Sequence, residues 1–248
     1  MRGGRGGSRL DERLVADGLA VSRSQAQALI LSGVVLVDDV PVDKAGTKVS
    51  DAARVRLRSG AVTRFVSRGG DKLAGALEDL AIAVDGRVCL DVGASTGGFT
   101  DCLLQAGARR VVAVDVGRGQ FHSRLRNDPR VELHERVNAR HLEAGDLPGE
   151  VDLVVADVAF ISLRLLLPAF VRVAPGADWL LLVKPQFELG REHVGKGGVV
   201  RDDGLREKAV VSVLEGAEEH GYGFVSRSES CLAGPRGNRE IFLLLRPE

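Results

Sequence analysis

Apolar positions in the first sixty residues change their period twice. Leu10, Leu14 and Val15 stand at helical spacing, and the stretch from Ser24 to Leu31 predicts a second short helix that Gly33 can close. Then "VVLVDD", the turn "VPVDKAG" and "ARVRLR" predict short strands, the last alternating Val55 and Leu57 with Arg54, Arg56 and Arg58. Residues 8–59 therefore form a small α+β domain. Ahead of it, residues 1–7 ("MRGGRGG") are expected to be a disordered tail. After it, a linker over 60–66 carries Val62, Phe65 and Val66 among turn formers, which predicts packing against one of its neighbours.

From Leu73 onward the pattern becomes alternating strand and helix. "RVCLDVG", "RRVVAVDVG", "RVELHERV", "DLVVADVAF" and "ADWLLLVKP" are five strands, with helices predicted over Thr100 to Ala106 and Leu163 to Val173. Their near-continuous Val, Leu and Ala runs suit strands buried on both faces, hence a parallel sheet covered by helices. The helix "REKAVVSVLEGAEEH" precedes "GFVSRSES" and "REIFLLLRP", a closing antiparallel hairpin whose turn holds Gly234, Pro235 and Gly237. Residues 67–248 thus read as one doubly wound α/β domain with a Rossmann-like sheet.

Composition narrows this picture. A 248-residue chain that is 44% hydrophobic can bury a real core, and no apolar run approaches the roughly 18 to 20 residues of a membrane span. "MRGGRGGSRLDER" lacks the apolar centre of a signal peptide, which places the chain in the cytoplasm. Cys89, Cys102 and Cys231 suggest neither disulfides nor a zinc site, and the five histidines have no ligand spacing, so no metal is assigned. A net charge of zero hides an asymmetry: residues 1–72 hold 13 Lys and Arg against 8 Asp and Glu. Clustered cations attract polyanions through the local potential.

The turn "LDVGASTGGF", residues 90–99, follows the first strand of the sheet, where doubly wound folds bind ligands. It lacks the G-x-G-x-x-G spacing that admits a pyrophosphate. Its D-x-G-x-x-x-G-G pattern fits S-adenosylmethionine better, a ligand with no phosphate. Asp91, Gly93, Ser95, Thr96 and Gly97 would hold that cofactor, with Asp115 at the end of the second strand for its ribose, Asn138 after the third for its adenine, and Asp157 nearest the methyl donor. Four polar residues converge on the same cleft: Lys72 ahead of the domain's first helix, Asp157 and Lys184 at the ends of the fourth and fifth strands, and Glu240 at the start of the last.

The stretch "RLDERLVADGLAVSRSQAQALILSGVVLVDD" resembles the S4 RNA-binding domain first described in a small-subunit ribosomal protein. That resemblance implies contacts to folded RNA from Arg9, Arg13, Arg23 and Lys44, with Lys48 beside them and Arg68 just past the linker. "VSRGGDKL", "LDVGASTGGFTD", "VAVDVG", "LLVKPQFE" and "GKGGVVRD" extend the resemblance over almost the whole chain to the TlyA family, also called hemolysin A, whose catalytic domain belongs with the FtsJ-type ribose 2'-O-methyltransferases. It implies S-adenosylmethionine as donor, cytidine ribose in ribosomal RNA or ribosomal subunits as acceptor, no obligate protein partner, and a catalytic Lys-Asp-Lys-Glu set at Lys72, Asp157, Lys184 and Glu240. Phe65 departs from the tryptophan or tyrosine that some relatives carry there.

The chemistry asks for these residue types independently. A ribose hydroxyl is a poor nucleophile, and attack in line on a sulfonium methyl needs a partner for its proton and lone pair. Lys184 serves either as a base, freed by a neighbouring cation such as Lys72 and opposed by Asp157, or as an electrostatic stabiliser of the developing alkoxide. Glu240 orients the pair. The glycine-rich "QFELGREHVGKGGVVRD" is either a lid over RNA or a plain surface loop. Rival readings are a cytolysin, which would need a membrane-inserting element, a catalytically silent RNA-binding module, and an NAD-dependent enzyme, which the glycine spacing disfavours.

Overall fold

The computed structural model describes residues 7–20, 23–31, 33–57, 64–147, 149–195, 197–234 and 236–248. The chain divides into two compact units, residues 1–63 and 64–248. Most of the expected tail (1–6) and of the expected linker (60–63) lies outside the described residues.

In the first unit, strand β1 (Gly7–Arg9) leads into helix α1 (Leu10–Ala16), and α2 (Arg23–Leu31) follows. Strands β2 (Val35–Val37), β3 (Val40–Pro41), β4 (Lys48–Ser50) and β5 (Val55–Leu57) complete it. β3, β2 and β5 form one antiparallel sheet and β1 pairs with β4 in another. Leu10, Leu14, Ala26, Ile30, Val35 and Val49 are its buried core. Gly33 closes α2 as expected, with φ of +70° and its N–H donating to the Ile30 carbonyl. β1 and β4 carry no alternating pattern long enough to read, and Gly7, expected in the tail, is the first residue of β1.

In the second unit, α3 (Arg68–Asp79), β6 (Val88–Val92), α4 (Gly98–Gln105), β7 (Arg110–Asp115), α5 (Ser123–Arg126), β8 (Val131–Glu135), β9 (Leu153–Ala156), α6 (Leu167–Val173), β10 (Asp178–Val183), α7 (Pro185–Glu188), α8 (Asp203–Glu218), β11 (Tyr222–Glu229) and β12 (Ile241–Pro247) alternate along the chain. Seven strands lie in the order β11-β12-β10-β9-β6-β7-β8. β10, β9, β6, β7 and β8 run parallel, while β12 is antiparallel to both β10 and β11. The expected hairpin therefore closes the sheet with its second strand inside its first.

Residues of each strand alternate between two cores. Leu90, Val112, Val154 and Leu181 face α6 and α8, whereas Cys89, Val111, Val155 and Leu182 face α3 and α4. Cys89 and Cys102 are buried and burial pushes both thiols up to about 12, so neither is reactive. Cys231 is exposed. Phe65 is buried in the α3 and α4 core, where a Cβ on Gly70 would stand 2.3 Å from its ring. The end of the linker thus packs against the second unit. Among the described residues, no helix is long and apolar enough to cross a membrane.

Candidate active site at the carboxyl edge of the sheet

The loop from β6 to α4 is built by close approach of backbone. Gly93 has φ of +85°, and a Cβ there would lie 2.5 Å from the Asp157 carbonyl oxygen. Gly97 has φ of +94°, and its Cβ would lie 2.5 Å from Leu125 and 3.0 Å from Phe121. Both positions need glycine because protein occupies the space, a reason the sequence pattern does not distinguish from room for a ligand. Ser95, exposed, adopts a φ of +48°. Its N–H donates to Asp115 Oδ2 at 2.8 Å, and the Gly117 N–H donates to Oδ1 at 2.6 Å. Thr96 accepts the His122 N–H at 3.1 Å through its carbonyl. Asn138 is exposed and its Oδ1 caps a 3-10 helix, Ala139–His141, by accepting the Arg140 N–H.

Asp91 is fully buried on the α4 side of β6. One oxygen accepts the Thr100 hydroxyl at 2.6 Å, and Oδ1 has no partner. Burial pushes its carboxyl up to about 7, with the negative charges of Asp157 and Asp115 adding to the shift and the Thr100 bond opposing it. Three carboxylates thus share the edge above β6, β7 and β9. Such a site suits a cationic ligand and repels a diphosphate.

Two ion pairs stand beside them. Lys184, at the N-terminus of α7, contacts Asp157, which directly follows β9. Lys72 meets Glu240 at 2.5 Å, with side chains 8% and 1% exposed. Lys72 does not precede the first helix of the unit: α3 begins at Arg68, and Lys72 lies on its buried face. Glu240 immediately precedes β12, so it stands one position beyond the Val183 and Ile241 pair, as Lys184 does on β10. Each amine therefore has its own carboxylate, in place of the expected pairing of Lys184 with Lys72.

An aromatic pocket is lined by residues that follow Asp157 and Lys184 in the chain. Phe160, three residues past Asp157, is 92% exposed with φ of +67°, a strained conformation for a bulky residue. Phe187, three residues past Lys184, holds its ring 5.3 Å from that of Phe160. A cavity of about 740 Å³ is lined by Arg140, Phe160, Ile161, Ser162, Leu165, Gln186 and Phe187. These residues carried no signal in the sequence beyond their distance from the two charged positions.

In the first unit the arginines implied for RNA contact are organised by carboxylates. Asp11 is buried and accepts from Arg9 through two bonds of 3.0 Å, from Arg23 at 3.0 Å and from Gln27 at 3.0 Å. The Arg9 bond, more than those of Gln27 and Arg23, holds its carboxyl well below the usual range against the effect of burial. Arg13 pairs with Asp17 at 2.7 Å. Lys44 and Lys48 are exposed and make no ion pair among the described residues. Arg68 opens α3, half-buried.

Comparison with known proteins matches this architecture at both ends. The profile of the S4 domain covers residues 8–55, and that of the FtsJ-like methyltransferases covers 65–247. The chain belongs to the FtsJ-like methyltransferase family. It is 52% identical over 242 residues to the 16S/23S rRNA (cytidine-2'-O)-methyltransferase TlyA of Mycobacterium tuberculosis, covering 97% of this chain and 90% of that one. It is 41% identical to Hemolysin A of Brachyspira hyodysenteriae, over 94% and 97% of the two chains. A solved structure named "Putative hemolysin from Streptococcus thermophilus" superposes with a TM-score of 0.77 at 38% identity, over 98% of this chain and 90% of that one. The FtsJ-like unit also holds two buried polar clamps that no sequence pattern marks. Asp101, on α4, accepts from the Val66 N–H, Gln105 and Arg124. Asn238 accepts the Val200 N–H at 2.9 Å and donates to the Gly198 carbonyl at 2.8 Å, tying the glycine-rich loop to the turn that leads into Glu240. Both are buried side chains with partners far along the chain, a weak signal in sequence.

Proposed function

We propose that this enzyme methylates the 2'-hydroxyl of a cytidine ribose in ribosomal RNA, with S-adenosylmethionine as donor. The observation that carries the reading is the pair of buried or half-buried Lys-carboxylate contacts at the carboxyl edge of one parallel sheet. The substrate follows the name of the Mycobacterium tuberculosis relative. The donor fits the residues present: an unpartnered, enclosed Asp91 oxygen among three carboxylates suits a ligand carrying an ammonium and a sulfonium. Asp91, Asp115, Ser95 and Asn138 would hold it, and when bound it supplies an electrophilic methyl group.

The chain's own residues do the rest. Lys184 donates an N–H to the ribose oxygen, turning a lone pair outward and stabilising charge that develops there. Asp157, in contact with it, accepts one lysine proton, and the amine so freed accepts the proton that the ribose oxygen loses as its new bond to the methyl carbon forms. Glu240 holds Lys72 in a buried pair at the register position opposite Lys184 and so supports that residue from inside the fold. Phe160 and Phe187 offer a face on which an unstacked base can lie, and Arg9, Arg13, Arg23 and Lys44 take phosphates of folded RNA.

Transfer of tritiated methyl from S-adenosylmethionine to ribosomal subunits, followed by digestion to nucleosides and mass spectrometry, tests the reading. The expected product is 2'-O-methylcytidine. A methyl group on a base, or none on RNA, refutes it.

A further inference from the structure

Gln186 is the one polar side chain that α7 contributes to the aromatic cavity, and it stands two residues past Lys184 and next to Phe187. Its Oε1 is enclosed and has no hydrogen-bond partner. An enclosed acceptor without a donor destabilises the chain that carries it, and such groups are retained where something outside the chain completes them. Around it the cavity supplies two aromatic rings, the aliphatic Ile161 and Leu165, and one cation, Arg140. Its volume of about 740 Å³ exceeds what a single pyrimidine fills and leaves room for the attached sugar and phosphate.

The cavity's chemistry is that of a site for a flat, polar-edged ring. Phe160 and Phe187, tilted 51° to each other, contact such a ring by face and edge, and neither discriminates among bases because every base has a π-face. Discrimination needs a polar group at the ring's edge. We propose that Gln186 Oε1 accepts a hydrogen bond from the 4-amino group of the target base and so selects cytosine over uracil. The inference rests on the reading of the enzyme as a cytidine ribose methyltransferase. Cytosine carries a donor at position 4 and uracil a carbonyl oxygen, so uracil would bring two acceptors together at an enclosed site. A site built to bond a donor rejects the analogue lacking it far more strongly than an apolar pocket can.

The test compares the full-length enzyme with Gln186→Met and Gln186→Glu on ribosomal subunits carrying either cytidine or uridine at the methylated position, reading the ratio of single-turnover rates. Glutamate keeps an acceptor at that place and methionine removes it. The expected result is a cytidine preference that falls by about tenfold or more in Gln186→Met and persists in Gln186→Glu, with S-adenosylmethionine binding by calorimetry retained in both. Gln186→Leu replaces the methionine variant should that one not fold. An unchanged preference in either apolar variant overturns the proposal while leaving the methyltransferase reading intact. A wild-type enzyme that yields no 2'-O-methylcytidine overturns both.

Discussion

Lys72 and Glu240, 168 residues apart in the chain, meet in an ion pair that is almost wholly withdrawn from water. Removing either partner strands a charge, which costs about 3–5 kcal/mol for a buried pair, whereas replacing both with apolar residues of similar size is often neutral. Urea unfolding should therefore find Lys72→Met and Glu240→Leu each strongly destabilised, and the double variant closer to wild type than either. All three should lack methyl transfer. Additive losses in the double variant would show that the pair is not coupled.

Asp91 makes stability depend on pH. Its carboxyl is raised from 3.8 to about 7 chiefly by burial, so between those values the folded chain holds a proton that the unfolded chain has released. Folded-state stability therefore falls as pH rises through that window and levels off above it. Asp91→Asn, which keeps the Thr100 hydrogen bond, removes this dependence. Denaturation of ligand-free protein at several pH values should show the variant gaining on wild type from about pH 4 to about pH 7 and holding a constant advantage beyond. A difference that does not vary with pH would contradict the assignment.

Gly93 couples the loop between β6 and α4 to Asp157. A methyl group there cannot coexist with the Asp157 carbonyl 2.5 Å away, and the φ of +85° disfavours any side chain. Gly93→Ala should cost about 1–3 kcal/mol of stability and lower kcat by displacing Asp157 and its contact to Lys184. Loss of S-adenosylmethionine affinity with kcat intact would place the effect in the loop alone.

RNA affinity should separate two kinds of residue in the first unit. Lys44 is exposed with no ion pair among the described residues, so Lys44→Ala should weaken RNA binding and lower the slope of log affinity against log salt by about 1. Asp11→Ala removes a negative charge, yet it should also weaken binding, because Arg9 and Arg23 lose the carboxylate that orients them. Tighter binding by Asp11→Ala in filter assays would mean that the arginines act through net charge alone.

The five parallel strands and the helices that cover them were legible because strands buried on both faces leave long apolar runs, as in "DLVVAD" and "DWLLLV", whereas their spatial order was not. The carboxyl-edge positions of Asp157, Lys184 and Glu240 followed from those runs. Pairing did not. Lys72 binds Glu240 because α3 starts four residues before Lys72 and turns it inward, and nothing local in "SRGGDKL" specifies that helix start. β1 and β4, three residues each, are too short for a period to register. Asp11, Asp101 and Asn238 owe their roles to partners distant in sequence, and Phe160 to a backbone strain that only coordinates reveal.

Asp157 with Lys184 and Lys72 with Glu240 are expected to serve one ribose-methylating centre. Alkaline hydrolysis of labelled RNA tests it most directly, since strand cleavage needs a free 2'-hydroxyl. After reaction with radiolabelled methyl donor, wild-type enzyme should place the label in an alkali-resistant dinucleotide, while folded Lys184→Ala and Asp157→Ala yield none. Label recovered in mononucleotides, or undiminished with the Lys184→Ala enzyme, would contradict the account.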